Sequence, residues 1–187
     1  MKPLGKVKNL VIAGNPGCGK TTLVRDAVFR HRDYCSGFFT EEAREGGKRS
    51  GFAIKSLDGK EGLFASKSMV SPVRLNKYGV DLSVLEGIGV TALIKGMQEG
   101  KLILIDEIGT METLSGLFEK TALECMASPS PVLATVRKGS GFAQSAGRLG
   151  NTAVKILERD NYAEADKEVR QWVDDWMEVL ENNRVEG

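Results

Sequence analysis

Continuous apolar runs alternate with helically spaced segments along most of this chain. Residues 10–14, LVIAG, and 102–106, LILID, each read as a strand buried on both faces, as do PVLATV at 131–136 and TAVKILE at 152–158. After the first run, residues 20–31 put Leu23, Val24, Ala27 and Val28 on one side of a helix. Residues 115–126 make a second amphipathic segment, and Val169, Trp172, Val173, Trp176 and Leu180 mark the stripe of a closing helix. From Ser83 the letters S-V-L-E form a capping box. Leu85, Ile88, Ala92 and Leu93 then recur at helical spacing toward Gly100, in spite of Gly87 and Gly89. Residues 37–66 differ. GFFT, GFAIKSL and GLFAS are short pieces split by EGG and DGKEG, the pattern of an antiparallel hairpin or meander. Together these predict an α/β fold with a mostly parallel sheet, covered on both faces and carrying an antiparallel hairpin extension. Ligands of such sheets meet the carboxyl ends of the strands.

The 187 residues suit one domain, taken as 1–187, with no repeat or linker to divide it. With 26 basic and 25 acidic side chains, the balance argues against nucleic acid as a first partner, although a local basic face fits within that total. Cys18, Cys35 and Cys125 are scattered, and His31 is the lone histidine, which argues against a zinc or disulfide framework. The apolar run after MKPLGKVKN is too short for a signal core or a membrane span. The expectation is a reduced, cytoplasmic protein without a membrane partner.

The chemistry begins at the end of the first strand. Gly14-Asn15-Pro16-Gly17-Cys18-Gly19-Lys20-Thr21 fits G-x-x-x-x-G-K-[ST] and stands between a predicted strand and a predicted helix. Glycines let the loop turn tightly and aim backbone N–H groups inward, where the positive end of the helix adds to their pull on phosphate. Residues Gly14 to Thr22 form the predicted phosphate cradle. Lys20 reaches the β- and γ-phosphates of a nucleoside triphosphate, and the Thr21 hydroxyl serves Mg²⁺.

Mg²⁺ also needs a carboxylate from a neighbouring strand, and Asp106 closes LILID. Glu107 is then the candidate that orients and deprotonates the attacking water. Asp106 to Gly109 also reads as the D-x-x-G of a signalling GTPase. The guanine-reading N-K-x-D is missing, since Asn76 to Gly79 is N-K-Y-G and lies upstream of the acidic site.

Three blocks resemble the small P-loop nucleoside-triphosphatases, the cancer-related or thermophile nucleoside-triphosphatase family. They are GNPGCGKTTL at 14–23, GFFTEEAREGGKRSGF at 37–52 and LIDEIGTMETLSGLF at 104–118, the middle block being the most specific. The resemblance covers roughly residues 8–136. It implies a RecA-like P-loop NTPase fold, a three-layer sandwich, and Mg²⁺-dependent phosphate release from ATP, GTP, CTP and UTP with little base preference, by a monomer. Beside it, the residues of the middle block suggest that Thr40 and Glu42 touch Mg²⁺ waters and that Arg44 or Arg49 stabilises charge on the transferred phosphoryl group.

Two departures stand out. The family carries lysine in D-E-I-G-K-M-E, where this chain has Thr110. Loss of a group that neutralises transition-state charge slows hydrolysis, and Arg137 or Lys138 could supply a substitute cation. ERDN at 158–161 replaces an N-R-D-like triplet. Two other functions share the cradle: a small kinase with 137–148, RKGSGFAQSAGR, as its lid, and a non-enzymatic nucleotide switch. The spacing of Trp172 and Trp176 fits core packing better than a partner surface.

Overall fold

The computed structural model describes residues 7–185. The parts of the 1–187 domain expectation that fall on residues 1–6, 186 and 187 lie outside the described residues. Among the described residues nine strands form one sheet: β1 (Asn9–Gly14), β2 (Cys35–Glu45), β3 (Lys48–Ser56), β4 (Glu61–Ser66), β5 (Arg74–Leu75), β6 (Tyr78–Val80), β7 (Leu102–Ile108), β8 (Val132–Arg137) and β9 (Thr152–Leu157). Their order is β5-β6-β4-β3-β2-β7-β8-β1-β9. Strands β2, β7, β8, β1 and β9 run parallel, and β3 to β6 continue the sheet antiparallel from the β2 edge.

The parallel half buries both faces because its strands alternate between two cores. Leu10 and Ile12 join Leu102, Leu104 and Leu133 on one face, where α1 (Lys20–Phe29) and α6 (Tyr162–Val185) supply Leu23, Val24, Val28, Val169, Trp172 and Val173. Val11 and Ala13 join Ile103 and Ile105 on the other face, against Phe38, Leu93, Phe118 and Met126. That second face is covered by α3 (Thr91–Gln98) and α4 (Gly116–Ala127). The three-layer sandwich follows from this division. Trp172 is buried and donates its indole N–H to the Val7 carbonyl at 2.9 Å, so it is a core residue. Trp176 is half-buried and packs against the same cluster.

The helical run predicted from Ser83 begins earlier. Asp81 caps α2 (Leu82–Val84) by accepting from the Ser83 backbone N–H, which takes the role the capping-box pattern gave to Ser83. Leu85–Val90 widens into π-type turns before α3. Gly89 lies there against Phe38, where an added Cβ would come within 3.2 Å of the ring, so a small residue lets the helix approach β2. The sequence pattern missed β5 and β6, which are too short to show a period. It also left the inside of 137–148 undescribed, where α5 (Gly141–Ala146) forms with Ser140 as its cap.

All three cysteines are free thiols, and burial pushes Cys35 and Cys125 up to about 12. No helix among the described residues is long and apolar enough to cross a membrane.

Candidate active site

β1 delivers the chain to Gly14, and α1 carries it away from Gly19. Between them Gly17 and Gly19 take φ of 76° and 98°, values that only glycine holds without strain. Gly19 has a second reason to be small, because an added Cβ would lie 2.7 Å from the Tyr162 ring. No side chain caps α1, so its first N–H groups are left for an anion together with the positive helix end. Asn15, Pro16 and Gly17 are exposed, Cys18 and Gly19 are half-buried, and Thr21 and Thr22 stand in the first helical turn. The buried Lys20 ammonium donates to the carbonyls of Gly14 and Asn15 at 3.2 and 3.4 Å.

β7 brings the acidic pair to this loop. A regular strand would send Asp106 and Glu107 to opposite faces. Here the register with β8 steps from Ile105↔Ala134 to Ile108↔Val136, so two residues of β7 oppose Thr135 alone. Such a bulge re-aims side chains. Glu107, one third exposed, comes to 3.7 Å from Lys20 Nζ. Asp106 is fully buried and accepts the Thr135 hydroxyl at 2.5 Å. Its Oδ2 finds no hydrogen-bond partner among the described residues. Burial pushes its carboxyl up to about 6, while the Thr135 and Thr21 hydroxyls hold it down.

An orphaned, buried carboxylate oxygen beside a threonine hydroxyl suits a hard divalent cation, which takes oxygen donors and completes its shell from phosphate and water. No group of three or more His, Cys, Asp and Glu side chains converges among the described residues. The donor set therefore fits a cation that arrives with a nucleotide rather than one caged by protein alone.

The middle block divides. Thr40 donates to the Asp106 carbonyl at 3.0 Å, tying β2 to the acidic pair. Glu42 holds Arg44 at 2.6 Å and Arg49 at 2.9 Å in an exposed triad on the β2–β3 hairpin. Burial alone would raise the Glu42 carboxyl, but the hydrogen bonds and charges of Arg49 and Arg44 together outweigh it and leave the group below its usual range. Glu41, which the sequence reading passed over, bridges Arg25 of α1 and Lys55 at 3.3 and 3.1 Å. The candidate substitute cation Lys138 pairs with Glu158 at 2.6 Å, and its backbone N–H donates to Gly14 O at 3.2 Å. Arg137 is exposed.

Two further residues escaped the sequence reading. Thr135 carried a signal, as the one hydroxyl inside an otherwise apolar strand, where a buried polar group needs a partner. Glu112 was given no role, although it is the last residue of the stretch that, apart from Thr110, matches D-E-I-G-K-M-E. It is buried behind the end of β7, and burial pushes its carboxyl up to about 8, with Glu107 and Asp106 adding to the rise.

Residues 9–169 match the family described as NTPase. Nucleoside-triphosphatase THEP1 of Thermotoga maritima is 47% identical over 131 residues, 70% of this chain and 75% of its own length. The crystal structure of THEP1 from the hyperthermophile Aquifex aeolicus gives a TM-score of 0.78 at 32% identity, covering 86% of this chain and 96% of that one. The solution structure of a human cancer-related nucleoside triphosphatase gives 0.74 at 26% identity, over 88% and 96% of the two chains. Similarity running from Asn9 to Val169, across both the phosphate loop and the acidic end of β7, places the chain in the P-loop nucleoside-triphosphatase family.

Proposed function

We propose that this enzyme hydrolyses nucleoside 5′-triphosphates, ATP, GTP, CTP and UTP alike, to the diphosphate and phosphate with Mg²⁺. The observation that carries the reading is the meeting of Lys20, Glu107 and a fully buried Asp106 around an uncapped helix end. The loop N–H groups bind the β- and γ-phosphate oxygens, and Lys20 leaves the Gly14 and Asn15 carbonyls to neutralise them. Thr21 and Asp106 would hold Mg²⁺, which when bound supplies neutralisation of charge on the phosphate oxygens. Glu107, exposed enough for water to reach it, orients a water and takes its proton. The new bond forms between that oxygen and the γ-phosphorus as the bond to the bridging oxygen breaks, leaving the diphosphate.

In this reading Arg44 or Arg49 adds charge to the departing phosphoryl group after release from Glu42. Both sit on the part of β2 and β3 that runs on past the last β2–β7 pair, Phe39↔Asp106. Broad base use is consistent with the missing N-K-x-D. The working unit is taken as one cytoplasmic, monomeric domain, in which the strands that lead to the phosphate loop and bear the acidic pair and the two arginines belong to a single sheet.

The test is phosphate release from the four triphosphates with Mg²⁺, beside Lys20→Ala as blank and Glu107→Gln. Glu107→Gln should bind nucleotide as the parent does and lose about 10²–10⁴-fold in turnover. Retained turnover removes Glu107 from the role. Transfer of the γ-phosphate to a small acceptor in place of water would replace hydrolysis with a kinase reaction.

A further inference from the structure

The turn that follows the acidic pair is built around one peptide. The Gly109 carbonyl accepts from both the Thr113 backbone N–H and the Thr113 hydroxyl, each at 3.0 Å. On the other side lies Glu112, 7% exposed, whose Oε2 would stand 2.7 Å from a Cβ placed on Gly109. The same imagined Cβ would lie 3.8 Å from Cγ and Oε1 of Glu107. Glu112 thus leaves no room for a side chain at Gly109, and Glu107 borders the same space at ordinary contact distance. Glu112 is anchored from behind. The Ser115 N–H donates to the Glu112 carbonyl at 3.1 Å, and the Ser115 hydroxyl both caps α4 through the Phe118 N–H and donates to Glu86 at 2.7 Å.

A long side chain such as glutamate holds one rotamer only where its surroundings fix it. Glu107 is one third exposed and on a bulge, so packing alone fixes it weakly. The buried Glu112 carboxyl, fixed against Gly109, supplies the missing wall. Burying an acid there costs free energy, and a hydrocarbon side chain would fill the same volume without that cost, so its polar end has work to do.

We propose that Glu112 is a positioning residue for hydrolysis, acting through Gly109 to hold Glu107 in its water-activating geometry. The inference rests on the hydrolytic reading above and adds a residue to it. Misplacement of a reacting group by about 1 Å costs on the order of a hundredfold in rate while leaving substrate binding alone. Its signature is therefore a loss in kcat at constant KM.

The experiment measures kcat and KM for ATP, and binding of a fluorescent ATP analogue, in the parent, Glu112→Ala, Glu112→Gln and Thr113→Val. Glu112→Ala should lose about ten- to a hundredfold in kcat with KM and analogue binding within about twofold. Glu112→Gln, which keeps the shape and an acceptor oxygen, should recover most of that loss. Thr113→Val removes the hydroxyl bond to the Gly109 carbonyl, with a longer one to the Thr110 carbonyl at 3.4 Å, and should lose several-fold in kcat with the fold intact, which keeps the test open if Glu112→Ala does not fold. The proposal is overturned if kcat is unchanged in Glu112→Ala, if KM rises in step with the fall in kcat, or if Thr113→Val matches the parent. A parent that releases no phosphate beyond the Lys20→Ala blank defeats the hydrolytic reading itself; an active parent whose Glu112 and Thr113 variants are normal defeats only this one.

Discussion

Replacing Asp106 by Asn should make the empty protein more resistant to unfolding at alkaline pH and, in the same step, indifferent to Mg²⁺–nucleotide. The carboxyl is fully buried, with Thr135 bonded to one oxygen, no hydrogen-bond partner on the other, and the Thr21 hydroxyl close enough to lower it somewhat. Burial raises it from 3.8 to about 6, so its ionised form costs the folded chain about 3 kcal/mol. The folded state holds a proton between those values that the unfolded chain has released, so stability falls as pH rises through that window. The cost is absent below 3.8, about half present at pH 5 and complete above 6. An amide escapes it, although its Nδ2 then lacks an acceptor, a loss of about 1–3 kcal/mol. The net gain at pH 8 is therefore about 0–2 kcal/mol, and the difference between Asn variant and parent should grow by about 1.5 kcal/mol from pH 5 to pH 8. Urea unfolding of both proteins at the two pH values, without metal or nucleotide, reads this directly. Adding Mg²⁺–ATP at about a hundred times its dissociation constant should then stabilise the parent by about 2.7 kcal/mol and the variant by little. A difference that stays flat or shrinks with pH would refute the view that this charge is held at a cost for a cation.

Other outcomes follow from single contacts. Gly19→Ala forces a side chain into a φ of 98° and against the Tyr162 ring, and should cost about 1–3 kcal/mol in urea unfolding and abolish nucleotide binding by titration. Trp172→Ala empties the centre of the α1–α6 core and should cost about 3–5 kcal/mol, seen as a fall in Tm, with residual nucleotide binding where the fold survives. The Arg137→Ala, Lys138→Ala double variant removes an exposed residue and one already paired with Glu158. It should keep phosphate release within about twofold; a larger loss would give one of them a place at the transferred phosphate.

The outline of the fold was legible because burial on both faces leaves unbroken apolar runs, and LVIAG, LILID and PVLATV each form a parallel strand. The antiparallel extension was legible from its turn residues, Gly46, Gly47 and Gly59, all with positive φ. The phosphate loop was legible because its chemistry is local: glycines, a lysine and a threonine act on one ligand within a single turn. Locality also fixed which face α1 and α6 present, since helical periodicity is written in consecutive residues.

What lies across the sheet was not written locally. The spacing of Asp106 and Glu107 predicts opposite faces, and only the register of β7 on β8 shows a bulge that brings Glu107 to Lys20. Thr40 and Glu42 share a parity on β2, yet one is tied to the Asp106 carbonyl and the other to two arginines on the exposed hairpin. Thr135 meets Asp106 from another strand, 29 residues away, and Glu112 reaches the site only by turning back beneath Gly109. By itself the sequence determined the longer strands and helices and marked the loop with a phosphate-binding pattern, because propensity, periodicity and glycine geometry act over a few residues. The tertiary structure decided which carboxylates converge and which are spent on ion pairs, because burial and charge depend on neighbours brought together by strand order.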